Sequence, residues 1–158
     1  MDRPPRQPRL ALFGAGPIGQ AFVRQFALLP FRVEAYDGRE AMAAHATILG
    51  DDDMAEVAAC LEPGDYALIA THSHELDYRI AQVVLEAGAA RFCGMVGSRR
   101  KVAEALEHLA AAGLTPDQIG RFSAPLGVPG LHGRAPEVIA LSAAAQVMHV
   151  MMADEAED

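Results

Sequence analysis

Cysteine is scarce in this chain: Cys60 and Cys93 are the only two among 158 residues. Two isolated cysteines supply neither a disulfide framework nor a C-x-x-C metal pair, and they suit a reducing compartment. Positive charge is scarce as well. Thirteen Lys and Arg against 21 Asp and Glu leave a formal net charge of −8 and a pI near 5.1. That balance excludes a general binder of nucleic acid or anionic membranes, so any nucleotide must be held by local geometry. No run approaches the ~18 apolar residues of a membrane span. Met1 to Pro8 is polar and proline-rich, without the apolar stretch of a secretory leader. A soluble, cytoplasmic protein is expected. No shift in composition marks a linker, and the length suits one domain with one core.

What the chain does have is a glycine-rich turn in a telling place. Arg9 to Gly19 reads RLALFGAGPIG, a short apolar run broken by Gly14-Ala15-Gly16-Pro17-Ile18-Gly19 and followed by helix formers. This is G-x-G-x-x-G between a strand and a helix. Gly14 would make the tight turn, Gly16 would let phosphates approach the backbone, and Gly19 would let helix and strand pack closely. A pyrophosphate there meets free N–H groups and the positive end of the helix. The pattern alone is weak, because glycines cluster in many turns.

The remaining chain repeats a strand–helix alternation. After the helix Pro17–Leu29, Phe31 to Tyr36 alternates as a second strand and ends at Asp37, 18 residues beyond Gly19. That spacing suits an acidic residue meeting an adenosine ribose; it favours a free 2′-hydroxyl, while Arg39 nearby could serve a phosphate. A short strand is expected at Ala46–Leu49 and a helix at Met54–Leu61. Asp51-Asp52-Asp53 are read as helix-start acids favoured by the dipole, not as a metal site. Tyr66–Ala70 is an unbroken apolar strand of the kind buried in a parallel sheet. A helix to Ala87, a strand Arg91–Val96 holding a core Cys93, and a helix from Gly97-Ser98-Arg99-Arg100-Lys101 to Ala112 follow. Thr115-Pro116-Asp117 starts a short helix, Phe122–Arg134 is a loop with room for one short strand, and Pro136 begins a last helix through about Met151. Residues 1–8 and 153–158 are expected to be disordered tails around a domain of residues 9–152.

The predicted fold is a single α/β domain, Rossmann-like, with a doubly wound, mostly parallel sheet and right-handed crossovers. Four loops then fall at the carboxyl ends of strands, where such sheets bind ligands. They are Gly14–Gly19, Asp37, Thr71 to His74, and Gly97 to Lys101.

Basic side chains at a helix start are mildly disfavoured by the dipole, so Arg99, Arg100 and Lys101 need a solvated outlet or an anion. Ser98 can cap the helix while an arginine receives phosphate or carboxylate. His72 and His74 offer hydrogen bonds or a general acid, but His-x-His lacks an evident third ligand, and no metal site is assigned. No nucleophile–base constellation is present. Val138, Leu141, Ala145, Met148 and Met152 place one apolar face on the last helix, suited to packing on the sheet or, with Met151, to a partner in a homodimer.

With these loops in view, the sequence resembles the C-terminal Rossmann domain of the XdhC/CoxI family, the xanthine dehydrogenase accessory proteins. The resemblance runs through LALFGAGPIGQAF, RVEAYDGRE, ATHSHELD, GMVGSRRK, AAGLTPDQIGRFSAPLG and APEVIALSAAAQ, between Leu10 and Gln146. THxHxLD and GSRRK are its specific parts, since nucleotide-binding folds in general do not share them. The resemblance implies a role in maturing molybdenum hydroxylases: binding the molybdenum cofactor, helping its sulfuration, and delivering it to an apoenzyme such as xanthine dehydrogenase. It brings Gly14, Gly16 and Gly19 as a nucleotide-type loop, with His72, His74, Asp77, Ser98, Arg99 and Arg100 as motif residues. Candidate contacts are therefore Gly14, Ala15, Gly16, Pro17, Ile18, Gly19, Asp37, Thr71, His72, His74, Ser98, Arg99 and Arg100, and the candidate cofactors NAD(P) or the molybdenum cofactor.

This chain departs from the family at three points. Pro17 stands where the family often has histidine, the family's Gly-Leu-Asp-Ile-Gly reads Gly127-Val128-Pro129-Gly130-Leu131, and the cysteine-bearing N-terminal domain is absent, so a separate chain of that type is an expected partner. The alternatives are an NAD(P)-dependent oxidoreductase using His72 or His74 as acid, and a nucleotide-sensing module.

Overall fold

The computed structural model describes residues 7–157. Its strands are β1 (Arg9–Phe13), β2 (Arg32–Asp37), β3 (Thr47–Ile48), β4 (Tyr66–Ile69), β5 (Phe92–Met95) and β6 (Phe122–Ser123). Its helices are α1 (Pro17–Phe26), α2 (Asp51–Ala59), α3 (His74–Ala87), α4 (Arg99–Ala111), α5 (Pro116–Gly120) and α6 (Pro136–Glu157). The strands form one sheet in the order β3-β2-β1-β4-β5-β6, every pair parallel. Strand order reverses between β1 and β4, the switch point where such sheets open a crevice at their carboxyl ends.

Strand alternation divides the core in two. Ala11, Phe13, Ala67, Ile69, Cys93 and Met95 face α2, α3 and α4. Leu10, Leu12, Tyr66, Leu68 and Phe92 face α1 and α6. On that second face the rings of Phe22, Phe26, Phe31, Tyr66 and Phe92 follow one another at centroid spacings of 5.3–6.3 Å. Each ring removed from water there is worth about 2–3 kcal/mol, so this chain of contacts is a main reason α1 stays on the sheet.

Helix starts follow the capping chemistry in the sequence. Ser73, Ser98 and Thr115 accept from Leu76 N, Lys101 N and Gln118 N, and Gly88 closes α3 in the left-handed conformation. Asp51, Asp52 and Asp53 form the first turn of α2, as helix-start acids do.

α6 departs from expectation in three ways. It runs on through Glu157 instead of stopping near Met151, and Asp154 pairs with Arg91, so the expected disordered tail at 153–158 is helical as far as it is described. Met1 to Arg6 and Asp158 lie outside the described residues. Its buried face is Ala140, Ala143, Ala144, Val147 and Met151. The stripe read from the sequence turns outward instead, with Leu141 49% and Met152 60% exposed, Ala145 exposed, and Val138 and Met148 half-buried. Alanines let α6 lie close against α1, and that close approach decides which face is inside. Among the described residues α6 is also the one helix long and apolar enough to cross a membrane, at mean hydropathy 1.3, which the sequence reading did not anticipate. Here its alanine face lies in the core.

Candidate functional site

The glycine loop leaves β1 at Phe13 and enters α1 at Pro17. Gly14 has φ +115°, and a Cβ on it would stand 2.0 Å from the Ala70 carbonyl oxygen on the neighbouring strand's loop. A Cβ on Gly19 would stand 2.1 Å from the Gly14 carbonyl oxygen. Both glycines are therefore demanded by backbone packing. Gly16 differs. A Cβ there would meet only the Arg39 guanidinium, at 3.5 Å, so the fold does not require this glycine. Gln20 Nε2 steadies the loop by donating to the Ala15 carbonyl at 2.9 Å, a contact the motif does not announce.

No side chain caps α1, whose N-cap is Gly16 and whose first residue is Pro17. Proline brings no N–H, so Ile18 and Gly19 supply the first-turn donors, and among the described residues neither has a protein acceptor. Those donors, at the positive end of a ten-residue helix, can receive an anion.

Asp37, the last residue of β2, is buried with its carboxylate against this loop. Oδ2 accepts from Ala15 N at 2.8 Å and from Arg39 Nη2 at 2.8 Å; Oδ1 accepts from Arg39 N at 2.9 Å and from Arg39 Nε at 3.0 Å. Burial opposes ionisation, but the hydrogen bonds from the Arg39 side chain and from the Ala15 and Arg39 backbone, with the Arg39 charge, outweigh it and hold the carboxyl at about 2. The sequence reading placed this carboxylate on a ligand ribose. Its partners here are the loop and Arg39.

The two remaining loops are fastened to each other. Asp77 is fully buried and accepts from Thr71 N at 2.8 Å through Oδ1. Its Oδ2 receives Lys101 Nζ at 2.5 Å, and the same ammonium donates to the Val96 carbonyl at 2.8 Å. Lys101 thus belongs to a buried ion pair, not to a basic surface cluster. A Cβ on Gly97 would stand 2.8 Å from Lys101 Cδ, which is why glycine precedes Ser-Arg-Arg-Lys. Thr71 shapes its own loop, with Oγ1 donating to the Ser73 carbonyl and accepting from Ser73 N.

The other expected residues are scattered on the surface. His72, His74, Arg99 and Arg100 are exposed. Arg100 folds back to Glu104, at 3.3 Å, and Tyr78 donates to the same carboxylate at 3.1 Å. Ser98 caps α4 and also lines a cleft of about 440 Å³ beyond β5, with Val96, Leu131, His132, Arg134 and Ser142. A larger cavity of about 530 Å³ lies at the opposite, amino ends of β4, β5 and β6, lined by Pro63, Phe92, Arg121 and Gln146 among others. The glycine loop lines neither, so the expected single cleft is not formed: the loops after β1 and β2 lie apart from the cleft beyond β5. Cys93 is in the core as expected, where burial pushes its thiol up to about 12 and disfavours the thiolate. Among the described residues no cluster of His, Cys, Asp and Glu could hold a metal.

Residues 10–147 match the family described as the XdhC Rossmann domain. The chain belongs to that family. The uncharacterized protein YqeB of Escherichia coli (strain K12) is 30% identical to this XdhC domain over 155 residues, covering 91% of the chain and 27% of YqeB. The domain therefore spans about a quarter of that relative's length. A crystal structure named as a xanthine dehydrogenase (BH1974) from Bacillus halodurans matches with a TM-score of 0.78 at 25% identity, over 93% of this chain and 43% of that one. The motifs that marked the XdhC domain in the sequence, THSHELD and GSRRK, are the two segments that Asp77 and Lys101 join. Sequence reasoning named both residues without pairing them. Opposite charges embedded in two loops after neighbouring predicted strands were the available signal.

Proposed function

We propose that this XdhC domain is an accessory protein in the maturation of a molybdenum hydroxylase of the xanthine dehydrogenase type, and that it grips a phosphate-bearing cofactor, NAD(P) or the molybdenum cofactor, through its glycine loop. The family match over residues 10–147 carries the maturation role, and the name of the Bacillus halodurans relative agrees with it. Support for the cofactor grip comes from Gly16, the one glycine of the motif that packing does not demand. In this reading the N–H groups of Ile18 and Gly19, at the open end of α1, are the donors to that phosphate. The molybdenum cofactor, when bound, supplies the redox centre of the recipient enzyme. The domain's own residues would hold its phosphate.

The partner of this reading is the hydroxylase apoenzyme, with a second copy of the domain meeting the outward face of α6 at Leu141, Ala145 and Met152. Native mass spectrometry of protein purified from its own host tests the cofactor, and NAD(H), NADP(H) or a pterin nucleotide is the expected retained mass. Co-purification of a molybdenum hydroxylase tests the role; recovery without one, together with hydride transfer to small aldehydes, points instead to an oxidoreductase. Light scattering at micromolar concentration tests the dimer, which Met152→Glu should dissociate.

A further inference from the structure

Asp37 has no acceptor capacity left. A carboxylate offers two oxygens and about four lone-pair sites. Ala15 N and Arg39 Nη2 occupy Oδ2, while Arg39 N and Arg39 Nε occupy Oδ1. The side chain is 1% exposed, so a ribose hydroxyl could approach it only by displacing Arg39. The usual basis for recognising an unmodified adenosine ribose at the end of a second strand is therefore spent inside the protein.

Arg39 faces the other way. Its side chain is 35% exposed and its Nη2 lies 3.5 Å from the point where a Cβ of Gly16 would stand. Nε and one hydrogen of Nη2 serve Asp37; Nη1, with two more N–H groups, has no partner among the described residues. The ion pair holds the guanidinium in one orientation, so little side-chain freedom is lost when an anion arrives. The N–H groups that Asp37 leaves open can donate to several oxygens of one phosphate at once, which a hydroxyl does not offer.

We propose that Arg39 is the specificity-determining residue of the crevice and that it selects a nucleotide bearing a phosphate on its adenosine ribose, of the NADP type, over NAD. The assignment rests on the glycine loop binding a nucleotide. It makes Asp37 a positioning residue that orients Arg39 and ties it to the loop through Ala15.

Isothermal titration of the whole chain with NADP+, NAD+, 2′,5′-ADP and inorganic phosphate tests it. NADP+ and 2′,5′-ADP should bind at least about tenfold more tightly than NAD+, as expected for charge-assisted bonds to a phosphate. Arg39→Ala should remove that difference by weakening NADP+ while leaving NAD+ unchanged or tighter, since Asp37 is then released to accept a hydroxyl. Arg39→Lys keeps the charge beside Asp37 but lacks the fork; it should lie between the two and serves if Arg39→Ala does not give a native circular dichroism spectrum. Equal affinity of the unmodified chain for NAD+ and NADP+ overturns the role of Arg39 while leaving the nucleotide site intact. Binding of neither overturns the nucleotide site itself. Inorganic phosphate competing as strongly as 2′,5′-ADP overturns recognition of a ribose-linked phosphate.

Discussion

Lys101 Nζ lies 2.5 Å from Asp77 Oδ2, with the lysine side chain 10% exposed and the aspartate fully buried. The pair joins the start of α4 to the first turn of α3, and Thr71 N and the Val96 carbonyl complete its hydrogen bonds. Removing one partner leaves the other charge buried, at a cost of about 3–5 kcal/mol. Lys101→Met and Asp77→Asn should each lower the unfolding free energy measured in urea by that order. The double variant should be less destabilised than the sum, because asparagine still accepts from Thr71 N and no charge is stranded. Strict additivity in the cycle would show that the two side chains are not coupled.

Gly14 and Gly16 should part company on substitution. Gly14→Ala forces a Cβ onto the Ala70 carbonyl and strains φ +115°, so it should unfold the domain or cost several kcal/mol, of order 3 or more. Gly16→Ala has room and should keep the melting temperature nearly unchanged, while Gly16→Val should abolish nucleotide binding in calorimetry. Full binding by Gly16→Val would reduce the loop to a turn.

Acid should weaken the loop through Asp37. Its carboxyl is held at about 2 against an ordinary 3.8, so its stabilisation is complete above about pH 4 and is lost as pH falls toward 2. The shift corresponds to at most about 2 kcal/mol, reduced by solvent screening at the partly exposed Arg39. Urea unfolding of the native chain and of Asp37→Asn at pH 6, 4 and 3 should show the native chain's advantage shrinking below pH 4. An advantage independent of pH would mean the ion pair contributes nothing through its charge.

The two cysteines should react unequally. Cys93 is buried and its thiol is pushed up to about 12, whereas Cys60 is exposed, its thiol raised by the hydrogen bond to Glu56. Iodoacetamide at pH 8 should label Cys60 slowly and Cys93 only after denaturation. Rapid native labelling of Cys93 would show that β5 opens to solvent in the native state.

The order of strands and helices was legible in the sequence because its signals are local. Apolar runs of four or five residues, Ser73, Ser98 and Thr115 at helix starts and Gly88 at a helix end each act within one turn of chain. The glycine loop was legible for the same reason, and so was the family through THSHELD and GSRRK. Facing was not. The apolar stripe Leu141, Ala145 and Met152 has helical spacing, yet the small residues Ala140, Ala143 and Ala144 are buried because α6 must approach α1 closely. Partnership was not legible either. Asp37 sat at a ribose-binding spacing, but whether its oxygens were free depended on Arg39 and on Ala15, 22 residues away. Asp77 and Lys101, 24 residues apart, became an ion pair only when parallel strands brought their loops together. Spacing along the chain determines which loops reach the carboxyl edge of the sheet. Which donor takes which acceptor there is decided by burial, since a buried charge must find its partner inside the protein.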